Sequence, residues 1–184
     1  MSMTALKAID KPTRALDKAR REAHKILHKF GYALPVNINA IVEAHNISVR
    51  AEALEDSVSG MLVIKDGNAV IGVNMNHHPN RQRFTIAHEL GHYLLHSNSS
   101  KIFIDAAPIF FRDETSSNGS RSQEIQANTF AAELLMPDAI LKEQLRTHPL
   151  DPFDDMAVRR LASQFEVSVQ ALTIRLTKLG LTAA

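Results

Sequence analysis

Residues 83–96 read RFTIAHELGHYLLH. Within this stretch His88 and His92 are four positions apart, so on a helix both imidazoles lie on one face and can reach one ion. Zinc accepts imidazole nitrogens as ligands, and at catalytic sites it keeps one position open for a water molecule. Glu89 follows the first histidine, where its carboxylate can take a proton from that water and pass it to a leaving amine. The pattern therefore predicts a Zn²⁺ site that supports metal-assisted hydrolysis of a peptide bond.

Two histidines leave a zinc ion one protein ligand short, and the strongest candidate for the third is Glu124. It opens the helical segment EIQANTFAAELLMP, in which Ala127 and Ala131 are small enough for close approach of the helix that carries the histidines. Gly91 allows the same approach from the opposite side, although a glycine costs a helix about 1 kcal/mol relative to alanine. Asn128, four residues after Glu124, is well placed to orient one of the ligand histidines.

Other candidates for the third ligand fit less well. A metzincin pattern requires a histidine where this chain has Asn98. His96 lies ~6 Å further along the helix axis than His92, which favours a polar residue at the helix end. Glu133 is half a turn away from Glu124 and is predicted to face solvent. The weaker rivals Asp113 and Glu114 lie in a polar loop.

The first half of the chain predicts helices followed by a small sheet. Asp-Gly at 66–67, between two runs rich in β-branched residues, predicts a hairpin. The strand Ile71–Asn74 is a candidate edge for pairing with an extended substrate, although a plain sheet strand is an equal alternative. The predicted elements are a flexible lead-in at 1–12, helices at Thr13–Phe30 and Pro35–His45, strands at Ile47–Ala51, Gly60–Ile64 and Ala69–Asn74, and the helix Arg81–His96 with Asn80 as its N-cap.

The second half is predicted to be mainly helical, apart from an apolar stretch at 101–111 that fits no element well and a polar loop at 112–122. Its predicted helices are Ser122–Met136, Asp138–Arg146 and two more that break near Val167–Ser168. The fold class is α+β, with a small, mostly antiparallel sheet packed against the helix of His88 and the helix of Glu124. The predicted division is a lead-in at 1–12, a zinc metallopeptidase domain at 13–148 and a C-terminal, helix-turn-helix-like subdomain at 149–184.

Composition excludes several classes of protein. The 184 residues include no cysteine, so a disulfide scaffold, a thiolate zinc site and a cysteine nucleophile are ruled out. No signal peptide is evident, and no run approaches the roughly 18 apolar residues of a membrane span. The sequence thus predicts a soluble, cytoplasmic protein without a membrane partner. A net charge of +1 gives no support to a broad nucleic-acid surface.

The two central motifs together resemble the ImmA/IrrE family, a gluzincin-like group of metallopeptidases. The resemblance extends over about residues 20–180 and includes SGM at 59–61, the run IxVN that ends at Asn74, and the tail pattern LAxxFxVSxxAxxxRLxxLG. It implies that His88, His92 and Glu124 bind the metal and that Glu89 is the catalytic base. Known members cleave helix-turn-helix repressors in bacteria, phages and mobile elements. The implied partner is therefore a repressor of this class, and the implied outcome is derepression of its genes.

Two questions stay open at the level of sequence. An oxyanion stabiliser or substrate contact is expected near the metal, with Tyr93 and Arg83 as candidates. Three more candidates lie nearby in sequence, namely Arg81, His77 and His78.

The second question is a rival function based on the tail, whose spacing is that of a helix-turn-helix. A DNA-binding regulator with a structural or sensory zinc site is the alternative to a peptidase. Four basic residues favour it, namely Arg159, Arg160, Arg175 and Lys178. Four acidic residues nearby oppose it, namely Asp151, Asp154, Asp155 and Glu166. Direct binding to DNA is therefore the less favoured reading, and the sequence makes no prediction of the oligomeric state.

Overall fold

The computed structural model of the chain describes residues 3–97, 102–106, 118–148 and 154–181, with side chains described for 13–97, 119–148 and 154–181. These residues form an α+β fold with seven helices and one four-stranded sheet. The elements in chain order are α1 (Met3–Phe30), α2 (Ile38–Ala44), β1 (Ile47–Glu52), β2 (Val58–Lys65), β3 (Asn68–Asn74), α3 (Pro79–His96), β4 (Ile102–Ala106), α4 (Asn118–Leu135), α5 (Asp138–Thr147), α6 (Asp155–Phe165) and α7 (Val169–Lys178).

The sheet has the strand order β1-β3-β2-β4. β3 pairs in parallel with β1 and antiparallel with β2, and β2 pairs antiparallel with β4, so the predicted mostly antiparallel sheet is confirmed. Lys65 and Asn68 face each other across the β2–β3 turn. The two turn residues Asp66 and Gly67 have φ values of 50° and 79°. Such positive values at both positions are what a two-residue hairpin turn of type I′ requires, which explains the Asp-Gly pair.

β3 is an interior strand, so of the two alternatives for Ile71–Asn74 the exposed edge is wrong and the plain sheet strand is confirmed. Residues 71–74 are all buried, and strands on both sides use the backbone hydrogen bonds of β3. Asn74 ends the strand, and its Nδ2 lies 2.9 to 3.3 Å from the carbonyl oxygens of Leu54, Glu55 and Val58. Asn74, the last residue of the IxVN run, thus holds the connection between β1 and β2 in place.

The apolar stretch left unassigned at 101–111 contains β4. Its residues 102–106 read IFIDA, which is rich in the β-branched and aromatic types that favour strands. The polar loop predicted at 112–122 is wrong for its last five residues, because α4 begins at Asn118. Residues 112–117, with the rival ligands Asp113 and Glu114, lie outside the described residues.

Four predicted helix starts differ from the structure, including that of α2, which begins at Ile38 instead of Pro35, and that of α4. α1 begins at Met3 instead of Thr13, so residues 3–12 continue the helix and Pro12 lies inside it. α3 begins at Pro79, a residue preorganised for the first helical position, and its N-cap is His78 instead of Asn80. The side chain of Asn80 donates to the carbonyl of Val167 at 3.0 Å, which ties the start of α3 to the α6–α7 turn.

α4 lies at the centre of the helical part of the fold. Phe130, Leu134 and Leu135 on α4 are fully buried in one core with Leu90 of α3 and Leu27 of α1. None of the described helices combines the length and the apolar character that a membrane span needs.

The C-terminal helices share this core. Leu161 and Phe165 of α6 and Leu172 and Leu176 of α7 belong to the same buried cluster. α6 ends and α7 begins on either side of the predicted break near Val167–Ser168. The boundary predicted at 149–152 lies outside the described residues, so the division into domains stays a prediction.

Glu133 is buried, which contradicts the prediction that it faces solvent. Only 2% of its side chain is exposed, and Oε2 accepts a 2.5 Å hydrogen bond from Nη2 of Arg175. Oε1 lies 3.1 Å from Nε2 of His24 and accepts from the backbone N–H of Asp138 at 3.2 Å. The prediction failed because α1 and α7 cover the side of α4 that faces away from the histidines.

Replacing Glu133 with alanine is expected to lower the free energy of unfolding by about 3–5 kcal/mol, because it leaves the Arg175 guanidinium buried without its carboxylate. Thermal and urea unfolding followed by circular dichroism measure the change. Glu143→Ala is the matched control, since Glu143 is an exposed helical glutamate that binds only the exposed Arg146 among the described contacts. Equal effects of the two substitutions would contradict the interpretation of Glu133.

Candidate metal centre

His88 and His92 lie one turn apart on the face of α3 that packs against α4. Each side chain is at most 2% exposed, and the two Nε2 atoms are 3.0 Å apart. The sequence places both imidazoles on one helix face, and the structure shows that this face is turned into the protein. Two histidine nitrogens therefore converge on one buried point.

Glu124 of α4 completes the group. Its Oε2 lies 3.4 Å from Nε2 of His88, and its Oε1 lies 3.3 Å from Nε2 of His92. A tetrahedral ion bound at 2.0–2.1 Å holds its donor atoms about 3.3 Å apart, so these separations fit one ion shared by the three side chains. The Glu124 side chain is 41% exposed, and the group is thus open to solvent on the carboxylate side.

Electrostatics favour an ionised carboxylate at this position. Burial alone would raise the pKa of Glu124. Hydrogen bonds and electrostatic interaction with His88 and His92 outweigh the burial, and the pKa falls well below the usual range of a carboxyl group. An anionic oxygen pair and two imidazole nitrogens form a donor set that suits a divalent transition metal.

Asn128 fixes the protonation pattern of one histidine. Its Oδ1 lies 3.0 Å from Nδ1 of His88, and an amide oxygen can only accept a hydrogen bond. Nδ1 of His88 therefore carries a proton, and the atom that would bind a metal ion is Nε2, which lies between Glu124 and His92. Such a contact orients a metal-binding imidazole and sets its tautomer.

The close approach of α3 and α4 depends on Gly91. A Cβ atom built on Gly91 would lie 3.2 Å from Cα of Ala127 and 3.0 Å from Cδ1 of Phe130. Real Cβ atoms rarely sit so close to a neighbour's backbone, so a larger residue would push the helices apart. The predicted role of Gly91 and Ala127 is confirmed, and their small size brings Glu124 within reach of the histidines.

Glu89 and His96 occupy buried positions on α3. Glu89, adjacent to His88, is 0% exposed. His96 is 8% exposed, and its ring centroid lies 5.5 Å from that of His92. Burial, together with the charges of His92 and Lys18, lowers the pKa of His96 to about 4. His96 is therefore a neutral packing residue at the end of α3 at neutral pH.

The first candidates for an oxyanion stabiliser are Arg83 and Tyr93, and the described contacts of Arg83 lie away from the three convergent side chains. Arg83 donates to the carbonyl of Val36 at 2.9 Å and pairs with Glu166 at 3.2 Å. Tyr93 is half-buried against the core. Neither belongs to the group formed by His88, His92 and Glu124, and their roles toward a substrate stay predictions.

The remaining three candidates hold the start of α3 in place. Arg81 donates to Oγ of Ser59 at 2.8 Å. His77 contacts the carbonyl of Asp56 at 3.3 Å, and His78 caps α3.

A second group of possible ligand atoms was missed by sequence reasoning. His24, Glu133 and Asp138 place ligand atoms within 4.8 Å of one another. Cations already hold the two carboxylates, since Arg175 binds Glu133 and Lys142 binds Asp138 at 3.0 Å. This group is therefore an ion-pair network. The only signal for it in the sequence was Arg175, the arginine of the tail pattern.

Comparison with known proteins agrees with this geometry. The model of a peptidase family described as the IrrE N-terminal-like domain matches residues 42–177. The chain belongs to this family. It is a metallopeptidase of the ImmA/IrrE type, and both motifs that carry the three convergent side chains lie inside the matched range.

Two curated relatives are similar in sequence to this ImmA/IrrE member. One is the "Uncharacterized immunity region protein 2" of Bacillus phage phi105, 28% identical over 134 residues, which cover 73% of this chain and 77% of the relative. The other is the "Metallopeptidase ImmA" of Bacillus subtilis (strain 168), 28% identical over 109 residues, which cover 59% of this chain and 56% of that protein.

A solved structure shares the fold of this family member. It is titled "Mycobacterium tuberculosis transcriptional regulator" and matches with a TM-score of 0.58 at 20% identity over 88% of this chain. The chain spans only 46% of the length of that regulator. At this identity the likeness supports the fold alone.

Proposed function

We propose that this metallopeptidase is a zinc-dependent endopeptidase that cuts a helix-turn-helix transcriptional repressor at one or a few bonds. The convergence of His88, His92 and Glu124 beside the buried Glu89 carries the proposal. Nitrogen and carboxylate donors in this number form the ligand set of catalytic zinc sites that keep a position open.

Each residue of the centre has one role in this proposal. His88, His92 and Glu124 hold the metal, and Asn128 orients His88. When bound, zinc supplies a polarised water molecule and stabilises negative charge on the scissile carbonyl. Glu89 takes a proton from the water and delivers it to the nitrogen of the leaving amine.

The edge of the sheet gives an extended substrate a place to bind. Among the described residues, β4 pairs only with β2, so its other side is a backbone edge. An extended peptide segment can add to such an edge through main-chain hydrogen bonds. β4 therefore takes the place of Ile71–Asn74 as the strand to which an extended substrate would add.

The choice of a repressor rests on the family resemblance and on the phage relative. A relative named for an immunity region supports a regulatory role instead of a digestive one. A repressor offers an exposed linker between its DNA-binding and dimerisation parts. Cutting that linker would lower operator affinity, because the two half-sites would no longer be held by effective concentration.

The test is to incubate the purified protein with zinc and with the repressor encoded beside it, and to analyse the products by mass spectrometry. Discrete fragments that are absent with the Glu89→Gln protein support the proposal. An intact repressor, together with cleavage of unrelated unfolded proteins, would instead show a general peptidase.

Replacing Glu124 with glutamine is expected to weaken metal binding by more than about 100-fold. Loss of a residue that only hydrogen-bonds to a metal ligand already lowers the metal affinity by about 10- to 100-fold, and Glu124 is proposed as a ligand itself. Competition with a chromogenic chelator measures the affinity. Glu143→Gln on α5 removes the same charge from an exposed position and should bind the metal like the wild type. A Glu124→Gln protein with unchanged affinity would rule out this ligand.

The structure weakens the DNA-binding alternative. Arg175 was one of the four basic residues that favoured it, but its side chain is 5% exposed and bound to Glu133. Arg160 lies 3.4 Å from Asp154, so part of the remaining positive charge is also neutralised. No described contact favours DNA over a protein substrate.

A further inference from the structure

Positive charge is concentrated on the first helix. The range 3–30 holds eight basic and three acidic residues, a net charge of +5, whereas the whole chain carries +1 and the rest therefore −4. α1 also lies before the range 42–177 that matches the family model. The element with the strongest charge thus precedes the range that the family model matches.

One face of α1 lines a groove of about 770 Å³, which we name the α1 groove. The opposite face packs on the core through Ala19, Ala23 and Leu27. Positions three and four apart share a helix face, which accounts for the spacing of the groove residues. The α1 residues that line the groove are Asp17, Arg20, Arg21, His24, Lys25 and His28.

The residues of the α1 groove combine charge with an exposed aromatic ring. The lining holds three cations and one carboxylate, and two of the cations are paired, Arg20 with Asp17 at 3.1 Å and Lys25 with Glu22 at 2.9 Å. Tyr32, 40% exposed, contributes an apolar surface to the same groove.

The α1 groove runs beside the helix that carries Glu124. α1 packs against α4, and His24 of α1 lies 3.1 Å from Glu133, nine residues after Glu124 on α4. The groove therefore follows the outer face of a helix that adjoins the one carrying the third convergent side chain.

We propose that the α1 groove binds an acidic, extended segment of the protein substrate and aligns the chain that follows it with the metal centre. A shallow, solvent-open groove with cations at one-turn spacing and an aromatic ring suits a peptide of alternating acidic and apolar residues. Duplex DNA fits less well, since its outer surface offers phosphates but no apolar side chain to pack on the exposed Tyr32. This inference rests on the proposed function for its role, while binding to the groove can be measured without cleavage.

The experiment uses full-length Glu89→Gln protein and a fluorescein-labelled peptide of alternating glutamate and leucine, with binding followed by fluorescence anisotropy. The pair Arg21→Gln and Lys25→Gln removes two groove charges with a good helix former. The control pair Lys29→Gln and Lys65→Gln removes the same charge outside the groove lining. We expect the Kd to rise about 10-fold for the groove pair, as for loss of two exposed ion pairs, and less than about 2-fold for the control pair.

Several outcomes would overturn the proposal. These are equal weakening by both pairs, equal affinity for the peptide with glutamine in place of glutamate, and tighter groove-dependent binding of a labelled DNA duplex. Repressor cleavage separates this inference from the proposed function. If the groove pair of substitutions, made with Glu89 intact, leaves KM unchanged, the groove proposal fails and the peptidase stands. If the peptide binds as expected but no repressor is cut, the groove stands and the proposed function fails.

Discussion

Replacing Glu89 with glutamine is expected to lower peptide cleavage by about 10²- to 10⁴-fold, the range that general acid–base catalysis contributes. Glutamine has nearly the same shape, but its amide cannot take a proton from water at neutral pH. His88, His92 and Glu124 are unchanged, so the metal content should stay at the wild-type level. Elemental analysis and a repressor cleavage assay on the same preparation measure both quantities.

Unfolding measurements give the control for this variant, because Glu89 is fully buried. A melting temperature close to that of the wild type shows that the loss of cleavage is chemical. A Glu89→Gln protein that cuts the repressor at nearly the wild-type rate would remove Glu89 from the mechanism.

Replacing either His88 or His92 with alanine is expected to remove the metal. The purified wild-type protein should carry about one equivalent of zinc, as a single site with three protein ligands would bind. Loss of one imidazole leaves two protein ligands, and each variant should retain little zinc after dialysis against a weak chelator. Inductively coupled plasma mass spectrometry measures the content.

His28→Ala is the matched control for the histidine variants, because His28 is exposed and lies on α1 away from the three convergent side chains. It should keep the full equivalent of zinc. Full zinc retention in both the His88→Ala and the His92→Ala protein would refute the ligand assignment.

The centre was predictable from sequence because its geometry is local. The spacing of His88 and His92 fixes their shared face, and the small residues Gly91 and Ala127 indicate where a second helix can approach. Glu124 and Asn128 are also four positions apart, so the same helical periodicity places them on one face of α4. Short-range periodicity therefore gave the relative positions of all the convergent side chains once the two helices were paired.

The errors concern residues whose surroundings come from distant parts of the chain. Glu133 was expected to face solvent, but α1 and α7 pack on that side of α4. Periodicity within α4 shows which way a side chain points and does not show what covers it.

The order of strands in the sheet is non-local in the same way. β3 became an interior strand because β1 pairs with it in parallel, and no turn signal encodes that pairing. The N-cap of α3 also differs, because Asn80 binds Val167, which is 87 positions away.

The Arg175–Glu133 pair constrains how the tail of this protein could be exchanged with that of a relative. A chimera joined within residues 149–153 takes Glu133 from one parent and the residue at position 175 from the other. If the second parent lacks an arginine there, the hybrid buries a carboxylate without its cation, at a cost of several kcal/mol. Tail swaps between family members should therefore transfer the two positions together, or choose parents that already share them.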